Sequence, residues 1–277
     1  MAENNGIYPY KPSQPAAVIF LFAFGISAAL HLFQMIRDRA WFYGSFTVGA
    51  IMMSLGYAAR VVSAKSPADM GPYIVQSLFI ILPPSLYAAS IYMIYGRLVL
   101  FVNASHASLV KPAYVTKIFV TGDVLAFFLQ AGGGGMMAVA GLGDVGQKIM
   151  LMGLAIQLLF FGFFLIISVV FFNRLRGSSA GLVAPQYGKH AWPALLKLML
   201  CAAAVIILRC VFRMIEFAQG HNGYFASREV YVYLFDTMPM FCVQFMFHFI
   251  RANEVFGSKA LGKLPDRESV IHLYERN

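Results

Sequence analysis

The chain has 277 residues, 60 % of them from the apolar set AVILMFWYC and only 12 % charged, and its mean hydropathy is +0.70. A soluble domain is about 45–50 % apolar and about 25 % charged, so the composition excludes a soluble globule, a disordered chain and a collagen-like fibre, and predicts an all-α polytopic membrane protein. The net charge of +9, from 21 Lys+Arg against 12 Asp+Glu, is read as the positive-inside bias of cytoplasmic loops; no basic soluble module with base-stacking aromatics is present to bind nucleic acid.

Residues 1–15 form a short N-terminal segment. It holds Pro9, Pro12 and Pro15 and no basic n-region, so it does not read as a cleavable signal peptide. A spanning helix needs about 20 apolar residues, and seven runs meet that length. They are Ala16–Ile36, Trp41–Ser63, Pro72–Phe101, Tyr114–Ala140, Lys148–Phe172, Trp192–Ile215 and Glu229–Ile250. The expectation is a seven-helix transmembrane domain over residues 16–250 and a cytosolic tail over 251–277. Two-thirds of the Lys and Arg fall in the loops after the first, third and fifth runs, at the start of the sixth and in the tail. The N-terminus is therefore expected outside and the C-terminus in the cytosol. Trp41 and Trp192 fall where cytoplasmic interfacial anchors are expected. The sequon at Asn103, Ala104 and Ser105 lies inside by this topology and reads as unused. Cys201, Cys210 and Cys242 all lie in apolar runs and read as packing residues rather than a disulfide framework.

Ionisable side chains within a span are costly and usually face a protein interior or a wet cavity. His31 and Gln34 share a face of the first run, and Arg60 closes the second. The third carries Gln76 and then Pro83-Pro84. The fourth carries Asp123 and Gln130, followed by glycines 132 to 135, and the fifth carries Gln157. Arg209, Arg213 and Glu216 make one stripe on the sixth, and Glu229 and Asp236 share a face of the seventh. Arg60, Gln76, Gln130, Arg209, Arg213, Glu216, Glu229 and Asp236 all fall toward the outer half. Their charged members balance, three positive and three negative, as mutual pairing would produce. Two compatible readings follow. The set is an ion-pair network that locks the second, sixth and seventh helices, or it lines an outward-facing cavity for a polar head. Pro83-Pro84 likewise marks an ordinary kink or a helix break that opens a cavity. The glycines permit close helix contact or end the fourth helix. His31 reads as a satisfied buried histidine.

Several chemistries are argued against. Gly141, Gly143 and Gly146 are followed by Gln147 rather than Lys, so no P-loop is present and ATP-driven transport by this chain alone is not expected. The six histidines include no pair spaced by four and no zinc constellation. The seventh run has no Lys for a retinal Schiff base. Loop cysteines and an acidic-Arg-Tyr motif, which a G-protein-coupled receptor would bring, are missing. His31 and His248 are the only intramembrane candidates to ligate haem.

Taken in order, these pieces resemble one known family. They are Tyr8-Pro9, His31 with Gln34, Gly56-Tyr57 with Arg60, Gln76 with Pro83, and Ala89 with Tyr92 before Arg97. Asp123 with Gln130, Gly153 with Gln157, Arg209 with Arg213 and Glu216, and Glu229 with Tyr233 and Asp236 complete the set. The chain resembles the fungal RTA-like family of lipid-translocating exporters, seven-helix proteins of the cell membrane. One departure is Met53, where the family often has an acidic residue, which leaves Arg60 one fewer partner. The resemblance implies plasma-membrane translocation of amphipathic lipids or lipophilic compounds, such as sphingoid bases or sterol-like molecules, with a part in drug resistance. No cofactor is implied, although haem or porphyrin is a candidate ligand. The implied partners are membrane lipids and an amphipathic or lipophilic small molecule, and no protein partner is indicated. The eight outer-half residues are the candidate ligand-binding set, with Arg60, Arg209 and Arg213 for an anionic head and Glu216, Glu229 and Asp236 for a cationic one. Asp123 is the candidate proton-coupling carboxylate, because burial disfavours a carboxylate's charged form. The alternatives are an intramembrane enzyme using Asp123, Glu216 or Asp236 as acid or base on a hydrophobic natural product, and a lipid-binding receptor or sensor.

Overall fold

The structure is a computed structural model that describes residues 8, 10, 12–137, 139, 141–176, 189–220 and 223–256. Those residues form helices and turns, with no strand among them. Seven helical stretches are long and apolar enough to cross a membrane. This chain is an integral membrane protein of all-α class, as its composition requires.

Helix α1 (Gln14–Arg37) starts where Ser13 accepts from the Ala16 N–H and Pro15 sets the first turn. A short 3₁₀ turn (Trp41–Tyr43) leads into α2 (Gly44–Lys65). The third span is interrupted: α3 (Met70–Ile81) stops and α4 (Pro83–Phe101) begins one residue later. Pro83 and Pro84 cannot donate to the carbonyls of Phe79 and Ile80, so two backbone acceptors are left open. One of them is taken over by a distant side chain, as Arg209 Nη2 donates to the Ile80 carbonyl at 2.7 Å. The sequence left this site open between kink and break; the helix is broken and repaired by an arginine.

Helices α5 (Pro112–Met137) and α6 (Gly143–Arg176) pack along much of their length. The glycine run lies inside α5 rather than ending it, and it serves close approach. A Cβ on Gly133 would sit 2.7 Å from the Met150 backbone nitrogen and 2.8 Å from the Gly146 carbonyl oxygen. Helix α6 has 34 residues, about 51 Å at 1.5 Å per residue, so it projects beyond a hydrocarbon core of about 30 Å. Helix α7 (Trp192–Gln219) is followed by the last span. That span runs as α8 (Glu229–Val232), a π-helical turn (Tyr233–Thr237), α9 (Met238–Phe249) and, past a bend at Ile250, α10 (Ala252–Phe256). It was expected as one helix ending at Ile250. Pro239 removes another backbone donor just after the π turn.

Helix α4 sits at the centre of the bundle. Tyr87, Tyr92 and Tyr95 on it are fully buried against Phe46, Phe119, Phe164 and Phe171. The opposite surfaces carry exposed apolar residues such as Phe22, Phe128, Leu159 and Leu208, as a bilayer-facing surface must. Trp41 is exposed, whereas Trp192 is buried and so does not act as a membrane-surface anchor. Cys210 is buried in the core, but Cys201 and Cys242 are exposed, so only one of the three cysteines packs inside. The predicted tail residues from 257 onward, the linker 177–188 and Ala140 lie outside the described residues.

The bundle has two distinct ends. At one end Tyr8 and Tyr10 lie around a common cavity with the start of α3, the end of α5, the start of α6 and the end of α7. At the other end α1 is tied to the last span: Arg251 bridges Asp38 at 2.7 Å and Glu254 at 2.6 Å, and Tyr43 accepts from the Ala252 N–H at 2.8 Å.

Candidate functional site

A cavity of about 410 Å³ opens among the helix ends on the N-terminal side. Its polar lining includes Arg60 from α2, Gln76 from α3, and Arg213 and Glu216 from α7. Its apolar lining includes Met70, Ile74, Ile81, Met150 and Phe217. Volumes of about 300–1,000 Å³ enclose drug-sized ligands. The chamber therefore accommodates an ionised or hydroxylated head beside an apolar body.

Two ion-pair groups frame it. In the first, Arg60 Nη2 donates to Glu229 Oε1 at 2.9 Å and to the Tyr10 hydroxyl at 3.0 Å, and Nε reaches the Tyr233 hydroxyl at 3.3 Å. Tyr233 in turn donates to Glu229 Oε1 at 3.0 Å, and its ring lies under the guanidinium. The other oxygen of Glu229 accepts from the Ser13 N–H at 2.8 Å, so a single carboxylate joins the starts of α1 and α8 to α2.

In the second group, Arg209 and Arg213 project from one face of α7, four residues apart, and both engage Asp236. Arg213 also bridges Glu216 at 2.8 Å. Arg209 and Asp236 are fully buried. Asp236 belongs to the π turn, and Arg209 also holds the carbonyl freed by Pro84. The break in the third span and the widened turn in the seventh are thus clamped by the same guanidinium. The ion pair with Asp236 and the hydrogen bond to the Ile80 carbonyl are what make the buried guanidinium of Arg209 tolerable.

The structure sorts the residues singled out from sequence into three positions. Arg60, Gln76, Arg213 and Glu216 line the cavity. Arg209, Glu229 and Asp236 form the frame behind it. Gln130 and Asp123 do not reach it. Gln130 is buried between α5 and α6, where its Nε2 donates to Gln157 Oε1 at 2.8 Å. The tight α5–α6 contact turns it there, since a Cβ on Gly153 would lie 2.9 Å from its Cγ. Asp123 is buried beside Tyr92, and neither of its oxygens makes a hydrogen bond of standard geometry. Met53 is a fully buried core residue, and Arg60 finds Tyr10 and Tyr233 in addition to Glu229. His31 Nε2 donates to the Gln244 carbonyl at 3.0 Å, and the ring stacks on His248 at 3.9 Å, at the far end of the bundle from the cavity.

Tyr8, Tyr10 and Tyr73, absent from the sequence-derived set, also line the cavity. Tyr8 packs edge-on against Tyr73 at 5.1 Å and shares a hydrogen bond of 2.7 Å with Ser63. The available signal was the Tyr8–Tyr10 pair just ahead of the first run, but nothing local indicates that it folds back onto the bundle.

These features define a seven-helix membrane protein with a polar, ion-paired chamber at one end. Residues 46–259 match the family described as RTA1 like protein, and the chain belongs to that family. It is 32 % identical over 272 residues to protoporphyrin uptake protein 1 of Saccharomyces cerevisiae, covering 86 % of this chain and 89 % of that one. It is 34 % identical to the protein RTA1 of the same yeast, covering 86 % and 78 %. It is 24 % identical to a sphingoid long-chain base transporter, RSB1, of Saccharomyces cerevisiae, covering 86 % and 72 %. No solved structure matches the chain. The family is thus one related to lipid transport.

Proposed function

We propose that this protein translocates amphipathic lipids or lipophilic compounds across the plasma membrane without ATP, through the N-terminal cavity, which faces the cell exterior. The observation that carries the reading is the chamber itself: paired charges and an amide together with apolar side chains in one lining, at the end of the bundle that the Lys and Arg distribution is expected to put outside. Names borne by relatives, a protoporphyrin uptake protein and a sphingoid long-chain base transporter, support an amphiphile with an ionised head as substrate. Arg60, Gln76, Arg213 and Glu216 meet that head. Arg209, Glu229 and Asp236 hold them in place, and Gln130 fixes α5 against α6. Asp123, a buried carboxyl beside Tyr92 with no ion-pair partner among the described residues, takes up the coupling proton.

Purified protein in liposomes carrying fluorescent sphinganine, or given protoporphyrin, tests this. Movement of unaltered probe across the bilayer is expected; a change in probe mass indicates an enzyme, and saturable binding without movement a sensor. Glu216→Gln retains the Arg213–Asp236 contact and so the fold. It is expected to lower the transport rate by about tenfold, the worth of one hydrogen bond to a charged group. Full transport by a folded Glu216→Gln variant removes Glu216 from the mechanism.

A further inference from the structure

The cavity wall contains a polar recess that the chain fills with its own phenols. Tyr8 is buried, 4 % exposed, although it precedes the first helix. Its hydroxyl meets Ser63 Oγ at 2.7 Å, and its ring is held between Tyr10 at 5.7 Å and Tyr73 at 5.1 Å. The Tyr10 hydroxyl accepts from Arg60 at 3.0 Å. Ser63 and Arg60 stand three residues apart on one face of α2. Beside them is Gln76, 3 % exposed and part of the cavity lining, whose amide oxygen has no hydrogen-bond partner. An unpaired buried acceptor costs free energy until a donor arrives. Three groups thus converge on one place: a hydroxyl that donates or accepts, a guanidinium that donates, and an amide oxygen with an open lone pair.

A tyrosine side chain has an apolar body and a hydroxyl tip. In this recess Tyr8 and Tyr10 present what a hydroxylated amphiphile would present. We propose that Ser63, Arg60 and Gln76 form a hydroxyl-binding subsite of the cavity, that Tyr8 and Tyr10 occupy it in this structure, and that they give it up to a hydroxyl group on the incoming amphiphile. The assignment rests on the translocation reading for its ligand, but not for the occupation by tyrosine. Ser63, Arg60 and Glu229 keep the pocket polar after the phenols leave, and the Ser13–Glu229 bond at 2.8 Å keeps α1 anchored. Displacement therefore requires only Tyr8 and Tyr10, which precede Ser13, to leave their contacts.

The test uses the full chain in nanodiscs. Ser63→Cys is combined with native tyrosines, with Tyr8→Phe/Tyr10→Phe, and with Tyr8→Ala/Tyr10→Ala. Cys201 and Cys242, which are exposed, are replaced by Ser in every background, and the thiol at position 63 is labelled with a water-soluble maleimide. Labelling is expected to be slow with native tyrosines and about tenfold faster with the alanines, because the occupied state no longer competes. The phenylalanine pair keeps the rings but lacks the hydroxyls, and should fall between. Binding of sphinganine and of its 1-deoxy analogue is measured in parallel without the Cys. Sphinganine should bind the alanine pair about tenfold more tightly than the native chain, and Gln76→Leu should erase its advantage over the deoxy analogue. Equal labelling in all backgrounds overturns the occupation by tyrosine. Faster labelling with equal binding of the two lipids overturns the hydroxyl subsite. Faster labelling with no lipid bound by any variant overturns the translocation reading and the ligand with it.

Discussion

Asp236 shows how much rests on single side chains in this bundle. Two arginines engage it, and both Arg209 and Asp236 are closed to solvent. Taking three charges out of water is expensive, so the cluster is weak evidence for net stability, yet its disruption is costly because it strands charge. Asp236→Asn leaves two buried guanidiniums with only Glu216 to balance them. It is expected to lower stability by about 3–5 kcal/mol, seen as a large fall in melting temperature in detergent. Glu216→Gln, at the partly open end of the same group, should melt close to the native protein. A similar loss for both variants would mean that burial does not distinguish the two carboxylates.

At the scale of elements, the fold rests on places where helices depart from regularity. The proline pair breaks the third span, the π turn widens the seventh, and glycines bring α5 and α6 together. The α5–α6 seam gives a clean contrast within one turn of helix. A Cβ on Gly133 would meet backbone atoms of α6 at 2.7–2.8 Å, whereas one on Gly132 meets nothing within 4 Å. Backbone cannot rotate away as a side chain can, so Gly133→Ala is expected to cost about 1–3 kcal/mol through overpacking. Gly132→Ala should be neutral or slightly stabilising, since alanine is the better helix former. Melting curves of the two variants decide this. Because Met137 and Met150 of this seam also line the cavity, Gly133→Ala should weaken sphinganine binding as well.

Across the whole molecule, the seven spans were legible because length and hydropathy are local properties, and run and helix boundaries differ by only a few residues at most ends. Helix α6 differs most: its ends extend past the apolar run through Gly143–Gln147 at one side and Asn173–Arg176 at the other, residues that helix geometry tolerates but hydropathy does not count. The charged stripe was legible as a set, since charges within spans are rare. Its division was not. Arg60 meets Glu229 across 169 positions and Arg209 reaches Ile80 across 129, and no periodicity encodes such partners. Gln130 and Gln76 look alike in sequence, each a lone amide in an apolar run; only packing turns one toward Gln157 and the other toward the cavity. Tyr8 and Tyr10 were invisible as site residues because they lie outside every apolar run, where a fold-back leaves no pattern.

The six ion-paired residues around the chamber have a consequence for the electrical behaviour of the membrane. Arg60, Arg209 and Arg213 against Glu216, Glu229 and Asp236 sum to zero. A charge crossing the full field exchanges about 2.3 kcal/mol per 100 mV, but a neutral group exchanges none. Rearrangement of the cluster as a unit is therefore blind to voltage. Any voltage dependence belongs to what is carried, or to a proton on Asp123. In liposomes with a potassium diffusion potential, an uncharged probe is expected to cross at a rate independent of potential, while a singly charged probe follows it. An uncharged probe whose rate tracks the potential at constant pH, in the native protein and in Asp123→Asn alike, would mean that the cluster separates its charges as it works.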